Sequence, residues 1–180
     1  MTTHNLINIP KLPLEDWVSG FVSWLTTDLS GFFNAIQQGG QAIMDTITSA
    51  LMAVPMPLMI IGITALAFAM TTKKYGFPIF AALGLMLIAN QGLWSDLMNT
   101  VTLVLMASVV SLIIGVPLGI LMAKSPKTAA VVQPILDFMQ TMPGFVYLIP
   151  AVAFFGIGVV PGVFASIIFA LPPMVSMTNL

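Results

Sequence analysis

The sequence predicts an all-α membrane protein, and its composition and the spacing of its charges carry this prediction. Of the 180 residues, 58% are hydrophobic and only 6% are charged, and the mean hydropathy is +1.05. A soluble domain carries about 25% charged residues, and a disordered chain combines low hydrophobicity with high charge. Uncharged intervals run over 46–72, 75–95, 97–123 and 138–180. Each is long enough for a helix of about 20 apolar residues, which is what a bilayer crossing requires.

The segment 1–50 is predicted to form amphipathic helices that lie in the plane of the membrane interface. Apolar residues recur at three- and four-residue steps from Leu14 to Ile36, with acidic and polar residues opposite them, which is typical of interfacial helices. The polar face is acidic, whereas helices that bind anionic lipid usually carry Lys and Arg. We therefore expect this segment to pack on the membrane domain or on a second copy. Gly39 and Gly40 are expected to break the helix before a second, short one leads into the first span.

Residues 51–180 are predicted to form a transmembrane domain of about five spans, placed near 51–72, 77–94, 97–122, 129–157 and 160–178. Proline and glycine are frequent in these stretches, and membrane helices tolerate them because neighbouring helices satisfy the freed backbone groups. Between Pro143 and Gly158 the pattern fits either an interrupted helix beside a cavity or simple kinks in a packed bundle.

Small residues mark one face of the third predicted span. They follow at strict four-residue spacing: Ala107, Ser111, Gly115, Gly119 and Ala123. Small residues let two helix backbones approach closely, which favours association in a membrane. This face is expected to pack against another helix, within the chain in the favoured interpretation or across a dimer interface in the other.

A polar stripe is predicted on the next span. Gln133, Asp137, Gln140 and Thr141 share one helical face, and Asp137 is the one ionisable residue between 128 and 180. Ionisable residues inside a membrane usually mark a functional position. The stripe therefore predicts either the lining of a path through the membrane or structural hydrogen bonding near a helix end.

The lysines predict the orientation, because short loops rich in Lys and Arg remain in the cytoplasm. The lysine pairs at 73–74 and 124–127 are separated by two predicted spans and can therefore share the inner side. This arrangement places the loop at Asp96, the turn at 158–162 and the segment 1–50 on the outer side.

Most enzymatic chemistry is excluded by the residues available. The chain has no cysteine, its one histidine is His4, and it has no phosphate-binding GxxxxGK[ST] loop, so no catalytic, metal or cofactor site is expected in it. All five basic residues are lysines, too few for a nucleic-acid-binding patch. If the chain takes part in ATP-driven transport, another polypeptide must hydrolyse the ATP.

Several segments carry a resemblance to a known family. They are Gln-Pro-Ile-Leu-Asp-Phe-Met-Gln-Thr-Met-Pro-Gly-Phe-Val-Tyr-Leu-Ile-Pro at 133–150, Phe-Gly-Ile-Gly-Val-Val-Pro-Gly at 155–162, Ile-Phe-Ala-Leu-Pro-Pro at 168–173, Asn-Gln-Gly-Leu-Trp-Ser-Asp at 90–96 and Gly-Val-Pro-Leu-Gly at 115–119. Together they closely resemble the permease subunit of the glycine betaine/proline family of ABC importers. The likeness runs from about residue 85 to the C-terminus, and the first 50 residues resemble the N-terminal extension of a subset of these permeases.

The resemblance implies a type I ABC importer transmembrane domain in the bacterial plasma membrane. It implies a homodimer of permeases, two ATPase subunits that bind ATP and Mg, and a solute-binding domain that is fused or separate. Such systems import glycine betaine, related quaternary ammonium compounds or proline during osmotic stress, by alternating access. In the family a cytoplasmic coupling helix follows the region that ends here at Leu180, so the chain is expected to be the N-terminal part of a permease.

The resemblance also implies that residues 133–157 contribute to the translocation path, with Phe145 and Tyr147 added to the polar stripe. Aromatic side chains can hold a quaternary ammonium group, but the family's high-affinity cage belongs to the solute-binding domain. Two rival functions remain: a membrane scaffold or accessory subunit, and a passive channel, which the lack of charged rings disfavours. Association with an ATPase distinguishes an importer from both.

Overall fold

The computed structural model describes residues 14–71 and 75–179, and within these ranges the chain is almost entirely helical, with no strand. The helices are α1 (Leu14–Asp28), α2 (Ser30–Met52), α3 (Met56–Met70), α4 (Gly76–Asn90), α5 (Trp94–Lys124), α6 (Pro126–Thr141), α7 (Leu148–Phe155) and α8 (Val159–Thr178), with a 3₁₀ turn at Gly144–Tyr147 between α6 and α7. The predicted all-α class is confirmed.

Helices α5 and α8 form the centre of the fold and run side by side in the same direction. Near their first turns, a Cβ atom on Gly162 would lie 3.2 Å from Cδ1 of Leu103. Near their last turns, a Cβ atom on Gly119 would lie 2.5 Å from Cβ of Thr178 and 2.9 Å from the backbone oxygen of Val175. The two backbones therefore approach each other closely along most of α8.

The small residues of α5 lie on this seam. Ala107 and Ser111 are buried, as are Gly115 and Gly119, whereas Ala123 is exposed. The Ser111 hydroxyl lies 3.5 Å from the backbone oxygen of Ile167 in α8. A helix of the same chain therefore occupies this face.

Helix α2 packs against the central pair. Met44 is buried together with Ala107 and Val163. The Thr48 hydroxyl donates to Oγ1 of Thr102 at 2.9 Å, and the fully buried Thr102 hydroxyl donates in turn to a backbone oxygen of α5. Helix α2 is thus joined to α5 by apolar packing and by a hydrogen bond between side chains.

The predicted break at Gly39 and Gly40 is wrong, because α2 continues through both residues. A glycine costs a helix only about 1 kcal/mol relative to alanine, and the lack of a side chain lets Gly40 approach Val160, whose Cγ2 would lie 3.4 Å from a Cβ there. The sharp break falls after Met52 instead. Pro55 has no amide hydrogen and disfavours a helical residue before it, and the axes of α2 and α3 differ by 86°.

By length and apolar composition alone, the described helices give fewer candidate spans than the predicted number of about five. In the described part of the chain, α5 and α8 are each long and apolar enough to cross a membrane, and the bent pairs α2–α3 and α6–α7 raise the total to at most four. Helix α4, which corresponds to the predicted span at 77–94, has 15 residues. At 1.5 Å per residue it is about 22 Å long, short of a hydrocarbon core of about 30 Å.

Candidate functional site

The connection between α6 and α7 is interrupted, as one of the two interpretations of the sequence predicts. Helix α6 ends at Thr141, the 3₁₀ turn follows Pro143, and the helical axis changes direction by 106°. Helix α7 ends at Phe155, and the next residue, Gly156, has a φ of +76°, a conformation that favours glycine. The interpretation as an interrupted helix is therefore confirmed, and simple kinks do not describe this segment.

Tyr147 connects the 3₁₀ turn to α6 by a hydrogen bond. Its hydroxyl donates to the backbone oxygen of Met139 at 2.7 Å. The Met139 oxygen also accepts from the Met142 backbone amide at 3.3 Å, so the Tyr147 hydroxyl adds a second bond to it and holds the 3₁₀ turn against the end of α6.

The main cavity of the central pair lies where the 3₁₀ turn faces α5 and α8. It has a volume of about 440 Å³ and is lined by Leu103, Gly144, Phe145, Leu148, Gly162, Ala165, Ser166 and Phe169. The rings of Phe145 and Phe169 are largely exposed, at 84% and 61%. A Cβ atom on Gly144 would lie 3.3 Å from Cδ2 of Phe169, so this glycine allows the turn to approach the ring. The walls are therefore mainly apolar and aromatic, and Ser166 contributes a hydroxyl group.

A smaller cavity, the mouth cavity, lies at the N-terminal ends of α5 and α8. Its volume is about 260 Å³, and its lining is Asp96, Asn99, Thr100, Leu103, Gly158, Val159 and Gly162. The three polar side chains, Asp96, Asn99 and Thr100, lie on one face of α5, because residues three and four apart share a helix face. The Thr100 hydroxyl donates to the backbone oxygen of Asp96 at 2.8 Å. This cavity is therefore the more polar of the two.

The main cavity and the mouth cavity share Leu103 and Gly162 in their linings. The Leu103 side chain lies directly against Gly162, as the 3.2 Å approach described above indicates. One leucine side chain thus lies at the boundary between a polar and an aromatic compartment.

A further groove, of about 610 Å³, lies between α3 and α4. Its lining is apolar except for Thr64 and Tyr75. Specific small-molecule sites place several polar groups to orient a ligand, and this groove offers fewer than the pair of cavities on α5. The candidate site is therefore the main cavity together with the mouth cavity.

The structure separates the sequence-predicted path residues. Phe145 lines the main cavity, whereas the polar stripe of α6 is absent from both linings. Within the stripe, the Gln133 amide donates to Oδ1 of Asp137 at 2.8 Å, and the Thr141 hydroxyl donates to a backbone oxygen of its own helix. Gln140 is exposed. Of the six predicted path residues, Phe145 lines the main cavity. Tyr147 holds the 3₁₀ turn beside that cavity through its bond to Met139.

Sequence reasoning missed the α5 and α8 side chains of the site. The sequence did indicate Asp96, Asn99 and Thr100 as a group, since the three occur at helical spacing directly after a predicted turn. No comparable signal pointed to Phe169, because many phenylalanines occur in these helices and their spacing does not identify the one that faces a cavity. Among residues 14–71 and 75–179, no group of three or more histidine or acidic side chains could hold a metal ion.

Comparison with known proteins adds sequence evidence to this geometry. The family model described as "Binding-protein-dependent transport system inner membrane component" matches residues 115–180, which extend from the second half of α5 through α8. The chain is similar to the glycine betaine/carnitine transport permease protein GbuB of Listeria monocytogenes, with 52% identity over 96% of this chain and 62% of that protein.

Two further relatives have related names. The glycine betaine transport system permease protein OpuAB of Bacillus subtilis is 44% identical over 96% of this chain and 60% of its own length. The glycine betaine/proline betaine transport system permease protein ProW of Escherichia coli is 39% identical over 94% of this chain and 47% of its own length. The chain thus spans about half to three fifths of the length of these curated relatives.

Proposed function

We infer that the chain acts in the uptake of compatible solutes, because it belongs to the inner-membrane permease family of binding-protein-dependent transport systems. In this proposal it is the membrane-spanning permease subunit of an ATP-driven importer. The observation that carries the proposal is the identity of 39% to 52% across nearly the whole chain with three permeases named for glycine betaine. The solutes in those names, glycine betaine, carnitine and proline betaine, share a quaternary ammonium group and a carboxylate.

The proposed partners follow from the family description, which names a binding-protein-dependent transport system. In this proposal a separate ATPase subunit binds ATP and Mg and hydrolyses the nucleotide. A solute-binding domain, fused or separate, captures the solute, and a second permease copy completes the membrane dimer. The chain contributes the path through the bilayer and takes no part in ATP chemistry.

The proposed orientation in the bacterial plasma membrane follows the lysines. Lys124 and Lys127, at the junction of α5 and α6, lie in the cytoplasm, and the segment 1–50 lies outside. The N-terminal ends of the parallel helices α5 and α8 then face outward, and the mouth cavity opens toward the solute-binding domain.

The proposed path passes from the mouth cavity into the main cavity and continues beside 133–157. Phe145 belongs to its upper part. Gln133, Asp137, Gln140, Thr141 and Tyr147 remain the candidates for the part nearer the cytoplasm. In alternating access, closure of the ATPase dimer opens this path outward so that the solute enters, and ATP hydrolysis returns it to the inward-facing state.

Capture from native membranes tests this proposal. An antibody to 1–50 should isolate the permease together with an ATPase, and the complex in proteoliposomes should accumulate labelled glycine betaine only when ATP is supplied. Labelled glycine, which lacks the quaternary ammonium group, is the matched control and should not accumulate. Isolation without an ATPase would refute the importer, in favour of a channel if betaine merely equilibrates across the bilayer and of a scaffold if there is no flux.

A further inference from the structure

We propose that the mouth cavity and the main cavity together form a transient binding site for the quaternary ammonium group inside the permease. Asp96 receives the cation at the mouth, and Phe145 and Phe169 form the aromatic wall that holds it in the main cavity. This inference rests on the proposed function, because it specifies how that function's solute is recognised within the membrane.

The aromatic wall provides the attraction. Phe145 comes from the 3₁₀ turn and Phe169 from α8, and both rings line one cavity. A ring face attracts a cation that lies within about 6 Å of its centre, and the attraction persists at exposed rings such as these. The cavity volume of about 440 Å³ falls within the range of small-molecule sites. The methyl groups of a quaternary ammonium make apolar contact with such walls, whereas a hydrated sodium ion would have to lose its water.

The mouth cavity provides the charge. Asp96 is the one charged residue in either lining, so a cation gains a favourable interaction before it reaches the apolar walls. The Asn99 amide can donate to the carboxylate of the same zwitterion. In the main cavity the Ser166 hydroxyl can do so in its place, while the ammonium group contacts the rings.

Leu103 lies between the cation position at Asp96 and the cation position at the two rings. Its side chain lies against Gly162 at the boundary of the two compartments. A solute that moves from the carboxylate to the rings has to displace this side chain. The absence of a side chain on Gly162 leaves that displacement possible.

The decisive experiment changes the electronic character of one ring and leaves its shape nearly constant. Phenylalanines with one, two and three ring fluorines are incorporated at position 169 of the full transport complex. The matched control carries the same series at Phe80, which is 73% exposed on α4, outside the proposed path, and belongs to neither lining. Each fluorine withdraws electron density from the ring face and weakens its attraction for a cation.

The expected result is a stepwise fall in the maximal uptake rate of glycine betaine, reaching about tenfold with three fluorines at position 169. The series at position 80 should change the rate less than twofold. Phe169→Leu should match the trifluorinated ring, and Phe169→Tyr should retain uptake. Asp96→Asn should lower uptake most at low ionic strength, where charges are least screened, whereas Asp28→Asn, remote from both cavities, should not.

Equal behaviour of the two fluorinated series, with uptake intact, would refute the aromatic wall and leave the proposed function standing. If the wild-type complex transports no quaternary ammonium compound, the proposed function fails. In that case, saturation-transfer NMR of tetramethylammonium with the captured protein tests cation binding at the site independently of transport. Transfer to the methyl protons that Phe169→Leu abolishes and Phe80→Leu preserves would support the site, and equal transfer in both variants would refute it.

Discussion

Gly119 is the position at which a single added methyl group is least tolerable. A Cβ atom there would lie 2.9 Å from the backbone oxygen of Val175, and a backbone atom cannot move away as a flexible side chain can. Gly119→Ala should therefore force α5 and α8 apart. Because overpacking typically costs 1 to 3 kcal/mol, we expect a melting temperature of the purified protein several degrees lower.

The matched control for Gly119 is Gly39, at which an added Cβ would meet nothing within 4 Å. Gly39→Ala should leave the melting temperature unchanged or raise it slightly, since alanine favours a helix by about 1 kcal/mol. If Gly119→Ala were as stable as Gly39→Ala, the close approach of α5 and α8 would be wrong.

The small-residue spacing in α5 predicts where a neighbouring helix packs, but it does not predict how far that contact extends. Gly119 meets Thr178, the last residue of α8. Ala123 lies one turn further along α5, beyond the end of its neighbour, and is exposed. A periodic pattern within one helix contains no information about the length of its partner, which explains this difference.

Among the elements, helix boundaries depend on proline chemistry more than on glycine. Pro55 and Pro143 each precede or begin a sharp change of direction, because proline removes a backbone donor. Gly39 and Gly40 stay within a continuous helix, since a glycine costs a helix only about 1 kcal/mol and Gly40 packs closely against Val160. The sequence therefore predicts the break beside Pro143 correctly, but it predicts one at Gly39 that the tertiary contacts of α2 prevent.

Helix α2 is attached to α7 through one aromatic side chain. The ring of Phe33 stacks on Phe154, with centroids 4.9 Å apart, and meets Phe155 edge to face at 5.5 Å. Each such pair contributes about 0.5 to 1.5 kcal/mol beyond burial. Phe33→Ala should therefore loosen α7, and hydrogen–deuterium exchange should become faster in residues 148–155.

Phe21 on α1 provides the control for this attachment, because its side chain is 60% exposed and its ring pairs with Trp24 of the same helix. Phe21→Ala removes the same number of atoms and should leave exchange in α7 almost unchanged. Equal protection of 148–155 in both variants would show that α2 does not stabilise α7 through Phe33.

In the whole molecule, the parallel course of α5 and α8 brings to one end two loops that the lysines assign to the same side of the membrane. The mouth cavity is formed by Asp96 after one loop and Gly158 after the other. Charge distribution thus predicts which loops lie together. It could not predict the cavity, which depends on the side-chain packing at Leu103 and Gly162.

Cysteine labelling can measure the sidedness of these helices, because none of the 180 residues is a cysteine that would first have to be replaced. Thr27, Ser95 and Pro126 are exposed and uncharged, so a single cysteine at each leaves all the orienting charges in place. A membrane-impermeant maleimide added to intact cells should label Thr27→Cys and Ser95→Cys. It should label Pro126→Cys, which lies between Lys124 and Lys127, only after permeabilisation, because lysine-rich loops stay in the cytoplasm. The opposite pattern would invert the proposed path and place the mouth cavity at the cytoplasmic face, where no external solute-binding domain can reach it.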